Sequence, residues 1–106
     1  MDNDIMLLIE QMQVSNAKLL RLADAGEWEA FFDESMAYSI GMRTLSEVDL
    51  TQLARYTRTE VTAQLTHLLE RDAHLTRAIQ ARMAVISSEL STMRKSRASA
   101  KAYTAV

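Results

Sequence analysis

An all-α fold, an antiparallel helical bundle with a hairpin packed on a long third helix, is what this 106-residue sequence predicts. Three observations predict it. There is no proline, and the only glycines are Gly26 and Gly41, in a chain rich in Leu, Ala, Met, Glu, Gln and Arg, the good helix formers. Apolar residues recur at steps of three and four, and no stretch of useful length alternates with period two. The clearest stop signal, Gly26, is followed at once by a new apolar stripe.

The first helix is expected over about Asn3 to Asp24. Ile5, Leu8, Met12, Leu19 and Leu22 form one stripe, with Ser15 in the missing place. Asp2 or Asn3 suits the N-cap, and Asp4 suits the positive end of the helix dipole. Gly26 stands where a left-handed residue ends a helix.

The second helix is expected over about Glu27 to Leu45, with Trp28, Phe31, Phe32, Ser35, Tyr38, Met42 and Leu45 on its stripe. Because the connection is so short, the two helices should be antiparallel neighbours. Trp28 is placed to lock that turn against Leu19, Leu22 and Ala23. Phe31 and Phe32 are about 100° apart around the axis, so one of them points sideways and is a candidate for a dimer or partner contact.

Two capping-box spacings follow, Asp49 with Gln52 and Thr57 with Glu60, and either could open the third helix. Its stripe is long: Val61, Leu65, Leu68, Asp72, Leu75, Ile79, Met83, Ile86, Leu90 and Met93. At roughly 1.5 Å per residue that stripe runs about 50 Å, against about 30 Å for each of the first two helices. The third helix should therefore overhang the hairpin. Residues 94–106 are small and basic, and are expected to be a short fourth helix, broken off near Ser96 or Ser99, or a mobile tail. The whole chain reads as one domain, with a three-helix core over 1–93 and this basic segment over 94–106.

Composition excludes several classes. Without cysteine there is no disulfide, thiolate zinc site or thiol nucleophile. The longest apolar run, Ile5 to Ile9, is far too short to insert in a membrane as a spanning helix. The acidic start argues against a secretory signal and for the cytoplasm. Residues 1–49 carry ten acids and three bases, whereas residues 50–106 carry four acids and nine bases. The basic end could thus be drawn back onto the acidic hairpin.

An elongated apolar surface can receive an amphipathic helix. Leu68, Leu75, Ile79, Met83, Ile86, Leu90 and Met93 supply one, and six internal methionines add adaptable surface. The plainer reading is that these residues close the bundle's own core; the overhang favours binding for the later ones. Asp72 interrupts the stripe and is expected at its edge, near Arg43 or Arg21, because a lone buried carboxylate is costly. His67, Glu70 and His74 share a face, but the two histidines are about 10.5 Å apart along the axis, too far to share one ion. The acidic cluster Glu27, Glu29, Asp33 and Glu34 lies off the stripe, as a solvated face would. Arg94, Lys95, Arg97 and Lys101 follow no nucleic-acid-reading motif. No catalytic residue, metal site or cofactor is expected.

Two segments carry a family resemblance. In Leu22 to Tyr38, a Gly-Glu-Trp turn (Gly26, Glu27, Trp28) precedes a tyrosine, Tyr38, ten residues after the tryptophan. In Gln80 to Tyr103, an arginine, an apolar stripe and basic residues (Arg82, Ile86, Leu90, Arg94) precede an Ala-Tyr pair, Ala102 and Tyr103. Together these resemble the FliT family of flagellar export chaperones. The resemblance implies a cytoplasmic chaperone of flagellar type III export. It would bind a C-terminal helix of the filament-cap protein FliD and deliver that client to the export ATPase and gate. In the enterobacterial branch it would also restrain the flagellar master transcription regulator. By position, Tyr103 would dock the export gate, and Gly26, Trp28 and Tyr38 would lock the hairpin. The connection from Arg43 to Asp49 lacks the proline or glycine that other members often carry there. Two alternatives stay open: a helical homodimer acting only on the transcription regulator, and a small helical enzyme binding an anionic metabolite.

Overall fold

The computed structural model describes the backbone from Asp2 to Thr104 and the side chains from Asp4 to Lys101. Three α-helices make up the fold: α1 (Asp2–Ala25), α2 (Trp28–Ser46) and α3 (Arg55–Thr104). A short 3-10 turn, Leu50–Gln52, lies between α2 and α3. Among the described residues, no helix is long and apolar enough to cross a membrane.

The α1–α2 turn follows from one residue. Gly26 takes φ +71°, the left-handed conformation that costs a side-chain-bearing residue about 1–2 kcal/mol. The Gly26 amide then donates to the Ala23 carbonyl at 3.1 Å, and the Glu27 amide to Leu22 at 2.9 Å. These two bonds are a Schellman stop, and they satisfy carbonyls that the end of α1 would leave unpaired. The chain therefore reverses within two residues, and α2 runs antiparallel to α1. The proposed caps Asp2 and Asn3 have side chains outside the described residues.

Contacts fix the arrangement. Ser15 meets Glu34, Asn16 meets Tyr38, and Gly41 lies against Met12, all across the α1–α2 interface. A Cβ on Gly41 would collide with the Met12 side chain, so the missing side chain is what lets α2 approach α1 there. Gln13 pairs with Gln64 near the start of α3, while the Gly26 turn lies abreast of Arg82. Hence α1 and α3 run in the same direction and α2 runs against both. α1 packs along both partners. α2 reaches α3 through the Tyr38 hydroxyl, which bonds Asp72.

The core is one cluster formed by Ile9, Met12 and Leu19 of α1, Tyr38 and Leu45 of α2, Leu53 of the connection, and Val61, Leu68 and Leu75 of α3. Burying each such aliphatic side chain stabilises the fold by about 1.5–3 kcal/mol. The buried positions of α3 recur every seven residues, and Leu65, Asp72, Ile79 and Ile86 repeat as a half-buried row beside them. This seven-residue repeat is the pattern of a helix held in a shallow left-handed supercoil.

The ambiguous start of α3 resolves into two separate roles. Asp49 accepts from the Thr51 amide at 3.0 Å and from the Thr51 hydroxyl at 2.6 Å, so it caps the 3-10 turn. That contact holds the Asp49 carboxyl below its ordinary pKa. The third helix then begins at Arg55, ahead of Thr57. At the other end the expected fourth helix is not separate: α3 continues unbroken to Thr104. The reason is chemical, since Arg94 to Thr104 contains neither proline nor glycine and Ser96 and Ser99 alone do not stop a helix. At 50 residues α3 is about 75 Å long, matching the 77 Å longest dimension of the molecule.

Candidate functional site

The site is where α3 outlasts its companions. The Arg82 guanidinium reaches back to the Gly26 turn, so among the described residues α3 from Met83 onward has no helix of the hairpin beside it. Its apolar pattern nevertheless continues. Met83 is 62% exposed, Leu90 46% and Met93 66%, and Ile86 is half-buried. Met83, Ile86, Ser87, Leu90, Ser91 and Arg94 line a shallow open groove. From Met83 to Met93 the ridge is about 15 Å long at ~1.5 Å per residue.

The seven residues expected to form one partner surface thus divide. Leu68 and Leu75 are buried and close the bundle's own core. Ile79 is partly buried against that core. In this conformation that stretch of α3 faces α1 and the Tyr38 side chain of α2, so these three side chains point into the bundle. Met83, Ile86, Leu90 and Met93 are brought together on the uncompanioned stretch. Tyr103 lies on α3, but its side chain is outside the described residues.

The electrostatics of the ridge are basic. Arg82, Arg94, Lys95, Arg97 and Lys101 fall within residues 82–101, with Glu89 as the one acid. Arg82 takes the next place in the heptad row after Leu75, where the core ends. Its Nε is buried without a hydrogen-bond partner among the described residues.

The hairpin residues are placed by packing. Tyr38 is buried and joins all three helices: its hydroxyl accepts from Asn16 Nδ2 at 3.2 Å and donates to Asp72 Oδ1 at 2.8 Å. Burial pushes the Tyr38 phenol up to about 12, with the neighbouring Asp72 adding to the shift and the Asn16 bond opposing it. Asp72 is therefore a half-buried acceptor for Tyr38, and this corrects the expected arginine partner. Trp28 is half-buried and meets Phe31 edge-on, with ring centroids 5.5 Å apart. Phe31 packs toward the core, while Phe32 is the sideways residue, 63% exposed.

Sequence reasoning missed a second exposed ridge. Phe32, Met36 and Ile40 of α2 all face solvent. Their i, i+4, i+8 spacing is itself a helical stripe, but it was hidden behind the stronger core stripe beside it. The acidic cluster is also split. Glu34 turns inward, accepting from the Ser15 hydroxyl at 2.9 Å and pairing with Lys18 at 3.2 Å, and these contacts hold its carboxyl below the usual value. His67 and Glu70 are exposed, 3.8 Å apart.

Comparison with known families gives a match to the family model described as flagellar protein FliT, over residues 6–105. No curated protein and no solved structure matches the chain.

Proposed function

Since the chain belongs to the FliT family of flagellar proteins, we propose that it is a cytoplasmic chaperone of flagellar type III export that works by binding rather than by catalysis. Its client is a C-terminal amphipathic helix of the filament-cap protein FliD. That helix lies on the ridge of Met83, Ile86, Leu90 and Met93. Burial of the client's apolar face there keeps the cap protein from assembling early, and the loaded complex passes to the export ATPase and gate, with Tyr103 as the gate-docking residue. The observation that carries this reading is an apolar ridge standing in solvent on a helix with no companion. Helix-in-groove recognition needs such a surface, read through anchors at i, i+3, i+4 and i+7 steps.

The Phe32, Met36 and Ile40 ridge supports a second partner contact on the other face of the hairpin. We assign it to restraint of the flagellar master regulator or to a second copy of the chain. Pull-down from a flagellated lysate tests both readings. Wild-type chain should recover the cap protein, Ile86→Asp should lose it, and Ile40→Asp should retain it. Recovery of the cap protein by Ile86→Asp at the wild-type level overturns the ridge assignment.

A further inference from the structure

We infer, on the footing of the helix-binding reading above, that the occupant of the α3 ridge is an acidic amphipathic helix, its carboxylates pairing with Arg82 at one end and with Arg94 and Arg97 at the other. Three observations carry this. The first is the order of residues on one face. Around a helix at 100° per residue, Arg82, Ile86, Leu90, Met93, Arg94 and Arg97 all fall within one third of the circumference. Arginines therefore bracket an apolar stretch, with Arg82 and Arg94 about 18 Å apart along the axis.

The second is the state of Arg82. Its guanidinium lies back toward the hairpin turn, with Nη2 4.0 Å from where a Cβ on Gly26 would stand. It makes no ion pair among the described residues, and its Nε is buried with no acceptor. A buried guanidinium N–H left unmatched is costly. Swung out from the turn, Arg82 would offer a carboxylate at the root of the ridge the fork geometry that arginine favours, and its Nε would gain an acceptor. The third is the sign of the field. Residues 82–101 hold five bases and one acid, so a basic or neutral helix gains nothing there and an acidic one is steered in. A nucleic acid fits less well, because Met83, Ile86 and Leu90 occupy much of the space between the arginines and gain nothing from a phosphate backbone.

The test uses the full chain and labelled amphipathic peptides of about 20 residues, with one leucine stripe throughout. One peptide has Glu at stripe ends about 12 residues apart, a second has Gln there, and a third has Lys. Fluorescence anisotropy should show the Glu peptide binding about tenfold tighter than the Gln peptide, and this advantage should shrink as salt rises. Arg82→Gln should erase most of the advantage, bringing the Glu peptide to within about twofold of the Gln peptide. Arg94→Gln, exposed and remote from the turn, should erase part of it with no change in circular dichroism. Equal affinity for the Glu, Gln and Lys peptides would overturn the acidic-partner inference while leaving helix binding intact. Binding of none of them would overturn the helix-binding reading itself. A labelled DNA duplex that outcompetes the Glu peptide, or a stable dimer that the peptide must displace, would also overturn the inference.

Discussion

The Tyr38 hydroxyl donates to Asp72 at 2.8 Å while accepting from Asn16 at 3.2 Å, so one phenol ties α2 to α3 and to α1. Asn16 is buried, and its amide N–H has no other recorded acceptor within the core. Tyr38→Phe leaves that donor unmatched and Asp72 without its partner. The expected loss is about 1–2 kcal/mol. In a domain of this size each kcal/mol lowers the melting temperature by roughly 4–8 °C. Asp72→Asn keeps an acceptor in place and should cost less. A melting temperature unchanged in Tyr38→Phe would show that the three-helix tie contributes nothing.

The same phenol sets an alkaline limit. Its pKa rises from 10 to about 12 in the folded state, because burial penalises the phenolate most. The folded protein therefore favours the neutral form more than the unfolded chain does. That contribution is whole below pH 10 and is lost as pH rises toward 12. Denaturant midpoints measured from neutral to alkaline pH should fall more steeply for wild type than for Tyr38→Phe over that window. Parallel curves would refute the assignment.

The division of the α3 stripe makes a contrast in stability. Leu68 is wholly buried, so Leu68→Ala should cost about 2–5 kcal/mol through lost transfer energy and a cavity. Met93 is 66% exposed, so Met93→Ala should change stability by no more than about 0.5 kcal/mol. Chemical denaturation of the two variants reads this directly. Comparable losses would mean that the far end of α3 is covered in solution.

The helices, the Gly26 stop and the overhang were legible in the sequence because they depend on local rules: residue propensity, spacing and glycine's access to positive φ. What was not legible depends on where neighbours end. Ile79 and Met93 occupy equivalent places in the seven-residue repeat, yet one packs against the core and the other is open, because the hairpin ends between them. Asp72 looked like an interruption of the stripe, since nothing in its own helix announces a phenol arriving from α2. Gly41 appeared as an unremarked helical residue, and its purpose is visible only with Met12 against it. The absent break near Ser96 was a misjudged boundary: serine is a weak helix former, not a stop.

The central claim is that the ridge beyond Arg82 receives a client helix. It is tested most directly by calorimetric titration of the FliD C-terminal helix into wild type and into Ile86→Asp and Leu90→Asp. Dissociation constants at or below about 1 μM for wild type, weakened at least about tenfold in both variants with helicity retained, are the predicted result. Equal affinity in all three proteins would contradict it.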